Sequence, residues 1–199
     1  MTLTNQSIGN VLKVFLIIAM VTSGINIVTT FLYAYMYYEV YIEIASFDQM
    51  VINADMLVWY SACILFLIWI FKVHADLRKI NPEYQISPGG SLARILIPFY
   101  NLYGYWQVFS TMSTYFKEHH KTLNLGKKLA LMIPFFYILL LGTQLLNRSA
   151  ASGMLMSANV VMITVISEFL LVVVCFVMTQ NILKAMPNLD GENTEEKVS

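Results

Sequence analysis

The residue best placed to do chemistry is a single carboxylate. Glu168 lies close to the middle of a long apolar run, 154–180. A charge at the centre of a membrane-spanning helix costs at least about 2.5–3.5 kcal/mol on insertion scales. Glu168 must therefore be protonated, paired or turned to a wet cavity, and the chemistry that suits it is binding a proton or a cation. Ser157, Thr164 and Cys175 lie near its helical face. Thr22, Asn26, Thr29 and Tyr33 make a comparable polar stripe on the first apolar run, with Asn26 near mid-depth. A hydrogen bond between Asn26 and Glu168, across two helices, follows as an expectation. It would serve a neutral glutamic acid used as packing glue equally well. Such contacts average only about 0.6 kcal/mol and act as much on specificity as on stability.

The other reactive side chains carry less. Glu118, His119 and His120 stand together, with His74 far off in the chain. Adjacent residues on a helix point about 100° apart, so the two histidines are poorly set to share one ion and read as a solvated surface. Cys63 and Cys175 both lie inside apolar runs and read as small hydrophobes. There is no Gly-rich phosphate loop, nucleophile–base motif or paired-carboxylate arrangement. No catalytic, cofactor-binding or metal-ligating residue is assigned and no cofactor is implied. The expectation is a protein that is not an enzyme.

The elements that must carry these residues follow from composition. Of 199 residues, 58% are hydrophobic and 12% charged, where an ordinary soluble domain has roughly a quarter charged. The deficit falls in blocks, the mark of a polytopic membrane protein. A helix spans a bilayer with about 20 apolar residues, and four runs suffice: 11–38, 56–73, 129–146 and 154–180. The first is longer than the apolar core of a cleavable signal, about 7–15 residues. It ends in YAYMYYEVY, so it reads as a retained span with a tyrosine belt. The second has Trp59 and Tyr60 near one end and Trp69 and Phe71 near the other, with Lys72 able to snorkel. Asn53 or Asp55, in an acidic loop over 39–55, is placed to cap it. Pro134 falls in the first turns of the third span, where a missing N–H costs least. Residues 1–10 read as a short, polar, exposed terminus. Residues 147–153 read as a tight turn, and 181–199 as a disordered tail in which Pro187 and Gly191 stop any helix. The whole is an all-α membrane protein, with one transmembrane domain over 11–180.

Charge sets the orientation. Net charge is zero, so nothing pulls the chain toward nucleic acid. With four spans, one side holds Lys13, Lys184, Lys197 and the basic residues of the long central connection: Lys72, Arg78, Lys79, Arg94, Lys117, Lys121, Lys127 and Lys128. The other side holds only Arg148. Excess lysine and arginine marks the cytoplasmic side, so both termini and the central connection are expected there.

That connection contains the segment 87–116, SPGGSLARILIPFYNLYGYWQVFSTMSTYF. It is apolar enough to want a membrane. A crossing would strand one of its flanking basic clusters outside, so it must enter and leave on one side. Leu92, Ile95, Leu96, Phe99, Leu102, Trp106, Phe109, Met112 and Phe116 recur every three or four residues, giving one apolar helical face. Two forms remain open. One is an amphipathic helix lying in the interface. The other is a re-entrant hairpin broken at Pro98, with Asn101 satisfying the freed backbone.

Trp69, Lys72 and Asp76, then Ser87-Pro88-Gly89, then Ile97-Pro98-Phe99, Asn101-Leu102 and Gln107 resemble the bacterial membrane proteins grouped as the domain of unknown function 4328 family. The likeness covers about 59–115, and the remaining spans by layout. Gly90 stands where that pattern has tryptophan, Asp76 where asparagine is common, and Tyr105-Trp106 where a proline–tyrosine pair would sit. The resemblance implies a bacterial inner-membrane protein and transfers no catalytic residue. Arg94 and Trp106 complete the candidate motif. Two functions are expected to compete. One is a membrane module that binds lipid or a partner protein through 87–128, where Lys117, Lys121, Lys127 and Lys128 could meet anionic lipid at about 1 kcal/mol each. The other is a small oligomeric channel or transporter subunit with Glu168 facing the pathway.

Overall fold

The computed structural model describes residues 3–35, 38–97, 100–151 and 157–196. These form six helices: α1 (Asn5–Tyr35), α2 (Tyr38–Ile80), α3 (Pro88–Leu96), α4 (Asn101–Glu118), α5 (Leu123–Ala151) and α6 (Ala158–Glu196), with a 3₁₀ turn at His120–Thr122 between α4 and α5. Four of them, α1, α2, α5 and α6, are long and apolar enough to cross a membrane, as the sequence predicts. Val21, Phe31, Leu57, Ile64, Ile138 and Ile163 are exposed on their outer faces. A bundle in water would carry polar residues there, and helices apolar all round belong in lipid. The core between them holds Leu12, Trp69, Ile70, Met112, Leu129, Ile182 and Met186, all buried.

The long helices alternate in direction. Asn5 meets Asp76 and Gln6 meets Leu183 at one end, and the amides of His120 and Lys121 meet Glu192 there too. Tyr35 meets Asn159 at the other end. The described lysines and arginines other than Arg148 gather toward the first end, called the basic end below. Each helix packs on the next and α6 closes on α1, so the six make a ring. In that ring α3 and α4 stand between α2 and α5.

Four expectations about the spans and the chain ends are corrected. The acidic stretch 39–55 is not a loop, and Asn53 and Asp55 cap nothing. They lie inside α2, which runs without a glycine or proline from Tyr38 to Ile80. Pro134 sits well inside α5 rather than in its first turns, because that helix begins at Leu123. The tail does not stop at Pro187 or Gly191, since α6 continues through both to Glu196. Ile182, Leu183, Ala185, Met186 and Leu189 recur at helical spacing and are buried against the bundle. Pro187 cannot donate to the carbonyl four residues back, that of Leu183. The side-chain amide of Gln6 donates to that carbonyl instead, at 3.0 Å. The beginning of the chain is not an exposed terminus either, because Asn5 and Gly9 are buried at the start of α1.

The segment 87–116 folds back on itself. Ser87 caps α3, its hydroxyl accepting from the Gly90 amide at 3.0 Å, and Pro88 takes the first helical position, where its missing N–H costs nothing. Pro98 and Phe99 lie outside the described residues, as does the side chain of Asn101. The helices on either side do not. At α3's far end Arg94 donates through Nε to Gln107 Oε1 of α4 at 2.9 Å and through Nη1 to the Gly90 carbonyl at 2.9 Å. Helix α4 then lies antiparallel along α5. Ser113 donates to the Gly126 carbonyl at 3.0 Å, while Tyr105 packs on Phe136 and Trp106 stands edge-on to Tyr137, both with ring centroids under 6 Å apart. Phe136 and Tyr137 are in the middle of α5. The hairpin tip therefore reaches the mid-level of a spanning helix, which is the re-entrant form of the two expected.

The Arg94 clamp makes a prediction. Arg94→Ala removes two hydrogen bonds from a charged donor and leaves Gln107 without this partner. A loss of about 2 kcal/mol in stability is expected, read as a lowered thermal midpoint in detergent. Arg94→Lys should recover only part of it, because an ammonium lacks the planar fork.

Candidate functional site: a polar level inside the bundle

Beyond the hairpin tip, on the side away from the basic end, four helices contribute polar groups at one level. Thr22 and Ser23 of α1 both donate to Asp55 Oδ1 of α2, Ser23 at 3.2 Å. Asn147 of α5 donates through Nδ2 to Glu168 Oε1 of α6 at 2.8 Å. A β-carbon on Gly24 of α1 would meet the Phe169 ring of α6 at 3.9 Å, so Thr22, Ser23 and the Asp55 they hold lie at about the level of Glu168. Glu168 is thus paired, but with Asn147 and not with Asn26 as the sequence suggests. The Oδ1 atom of Asn26 is buried without a partner among the described residues.

Helical spacing fixes what lies below. On α2, Asp55, Trp59, Ala62, Phe66, Trp69, Val73 and Asp76 recur every three or four residues and share one face. On α6, Glu168, Leu171, Cys175, Met178 and Ile182 do the same. Between these faces is an apolar cavity of about 170 Å³. Its walls include Trp59, Ala62, Phe66, Leu171 and Cys175, and Ile95, Leu96, Tyr105 and Phe109 of the hairpin line it too. Asp55 and Glu168 stand one turn beyond Trp59 and Leu171, on the side away from the basic end. Cys63 also borders the cavity and is exposed, so it is not the closed core residue that its apolar neighbours suggest.

Asp55 is the residue of this candidate site that the sequence does not single out. Its signal was the α2 stripe, which continues from Trp59 back to Asp55 without a break in register.

Of the described motif residues, Trp69, Lys72, Asp76 and Ser87-Pro88-Gly89 lie toward the basic end, whereas Arg94, Trp106 and Gln107 belong to the hairpin. Trp69 is wholly buried beside Gly9, where any side chain at residue 9 would strike the indole and Leu183. Lys72 is half-buried, Gly89 is exposed, and Trp106 is exposed on the hairpin's outer face. Asp76 is buried at the start of α1, where Thr4, Asn5 and Lys79 all donate to it. Beside it His74 packs edge-on to Tyr84, and Tyr84 to Tyr115. Burial pushes the Tyr84 phenol well above the usual tyrosine range. Its hydroxyl and His74 Nε2 have no partner among the described residues. Lys117, Lys121, Lys127 and Lys128 are all exposed around the α4–α5 turn.

Among the described residues no three histidine, cysteine or acidic side chains converge as a metal site would. Compared with known proteins, the chain matches no family model, no curated protein and no solved structure.

Proposed function

We propose that the chain is a small membrane transport protein or channel subunit that binds a proton or monovalent cation between Asp55 and Glu168. One observation carries this: carboxyls on two spanning helices, each hydrogen-bonded by side chains of a neighbouring helix, stand one turn beyond an apolar cavity. Ionisable groups within spanning helices are rare, and where they persist they mark ion pathways and proton relays. Thr22, Ser23 and Asn147 supply the hydroxyl and amide groups that would orient the two acids. The Glu168–Asn147 bond faces outward from a single bundle, so a homo-oligomer that covers it fits this reading. The basic end is the cytoplasmic side, with both termini there. The motif likeness supports a bacterial inner membrane and membership of the family it resembles. The chain is not an enzyme in this reading.

The test is ion flux in proteoliposomes under an imposed gradient of H⁺, Na⁺ or K⁺. Wild-type protein should carry one of them, and Glu168→Gln and Asp55→Asn should each fall to the leak of protein-free vesicles. No wild-type flux of any of the three, or undiminished flux in both variants, overturns the proposal.

A second reading, a module that binds lipid or a partner protein through 87–128, is favoured by one specific feature. Leu96, Ile97, Tyr100, Tyr103 and Trp106 are exposed on the hairpin's outer face, above the exposed lysines at 117, 121, 127 and 128.

A further inference from the structure

A polar groove of about 380 Å³ lies where α1 and α6 meet at the basic end, remote from the carboxyl pair and from the hairpin. It is lined by Gln6, Asn10, Lys13, Gln180, Leu183 and Lys184. Two of these are cations and three are amides that can donate. No acidic side chain lines it. Among the described residues neither lysine makes an ion pair, although Lys79 of the same end does. Two unpaired ammonium groups held beside three amides make an anion site, and the number of donors suits a phosphate.

The surroundings say where the phosphate comes from. The groove opens at the edge of the apolar outer surface. Val14, Ile17 and Val21 of α1 are exposed beyond Lys13, and Ile163, Ile166 and Leu170 are exposed along α6. A lipid with its headgroup on Lys13 and Lys184 would lay its chains along this seam. A soluble phosphate would leave that surface unused.

We propose that the groove between Lys13 and Lys184 is a binding site for the phosphate headgroup of an anionic membrane phospholipid. The two amines neutralise the phosphate, while Asn10 and Gln180 donate to its oxygens. Gln6 already donates to the Leu183 carbonyl and fixes the wall. The site ties together the beginning of the first spanning helix and the end of the last, so an occupied groove also braces the closure of the ring.

Native mass spectrometry of the full chain in mild detergent tests it, with phosphatidylglycerol, zwitterionic phosphatidylcholine or inorganic phosphate added in parallel. One tightly held phosphatidylglycerol per chain is expected, with phosphatidylcholine bound more weakly. Lys13→Gln and Lys184→Gln should each weaken phosphatidylglycerol binding about fivefold, and together about 25-fold. Lys13→Arg with Lys184→Arg should keep it, which separates lost charge from lost fold. Arg78→Gln, an exposed cation of the same end outside the groove, should leave the tight adduct unchanged. Equal retention by the double glutamine variant overturns the proposal, as does an equal loss in the Arg78→Gln control. If inorganic phosphate binds through the same two lysines while phosphatidylglycerol does not, the anion site is soluble-facing and the lipid assignment falls.

Discussion

Gly104→Ala is expected to open the α3–α4 hairpin and to cost about 3 kcal/mol of stability, at the upper end of what overpacking usually costs. A β-carbon at this position would sit 1.8 Å from the Arg94 carbonyl oxygen and 2.6 Å from its carbonyl carbon. Both are backbone atoms of the neighbouring helix, so no side-chain rotation relieves the clash and α3 itself must move. Two effects oppose each other here. Alanine gains up to about 1 kcal/mol over glycine in a helix interior. The displacement of α3 outweighs that, because it breaks the Arg94–Gln107 clamp and loosens Ile95 and Phe109 at the floor of the cavity. Gly142→Ala is the matched control, with open space where its β-carbon would go. Thermal midpoints in detergent should therefore move in opposite directions, down for residue 104 and up or level for residue 142. A Gly104→Ala protein as stable as wild type would mean that the two helices do not cross as closely as described.

How much of this was legible in advance depended on the range of the interaction. The four spans and the one-sided entry of 87–116 could be read, because hydropathy and charge are local sums. The interfacial and re-entrant forms could not be separated. Both need the same apolar face, and what decides between them is α5, which supplies Phe136 and Tyr137 as partners. Three other acids precede Asp55 in 39–55 and no basic residue balances them, so by local composition the whole stretch reads as a loop. It is helical because nothing in it breaks a helix and because Thr22 and Ser23 receive its carboxylate. Pro187 misleads for the same reason. Its stop signal is local, while the Gln6 amide that satisfies the freed carbonyl lies 177 residues from Leu183. Glu168 stands out in the sequence, but its partner does not. Depth alone can pair α1 with α6, and only the packing brings Asn147 of α5 nearer.

The same long-range logic gives the second large effect. Asp76→Ala is expected to cost about 3–5 kcal/mol and to free the start of α1 from the bundle. The carboxylate is fully buried, and it accepts from the Asn5 backbone amide and Asn5 Nδ2, both at 2.9 Å, and from Thr4 Oγ1 at 3.0 Å. The Asn5 amide is the first of α1, one of the donors that a helix start leaves unpaired. Asp76 therefore caps α1 from a different helix, with its negative charge at the favourable pole of the helix dipole. Lys79 adds a 2.9 Å bond but is half-exposed, so solvent screens its share and the loss comes mainly from the Asn5 donors stranded without water. Asp76→Asn should fall between alanine and wild type. One amide oxygen can still accept, but the new NH₂ faces other donors and the charge is gone. Two measurements read this out. The thermal midpoint in detergent reports the stability. Proteolysis near residue 5 reports the release of α1, and should rise for alanine before the rest of the bundle unfolds. If Asp76→Asn matches wild type in both, the charge contributes nothing and only the shape of the acceptor matters. If Asp76→Ala does as well, α1 is held by its apolar face alone, through Leu12, Leu16 and Ala19.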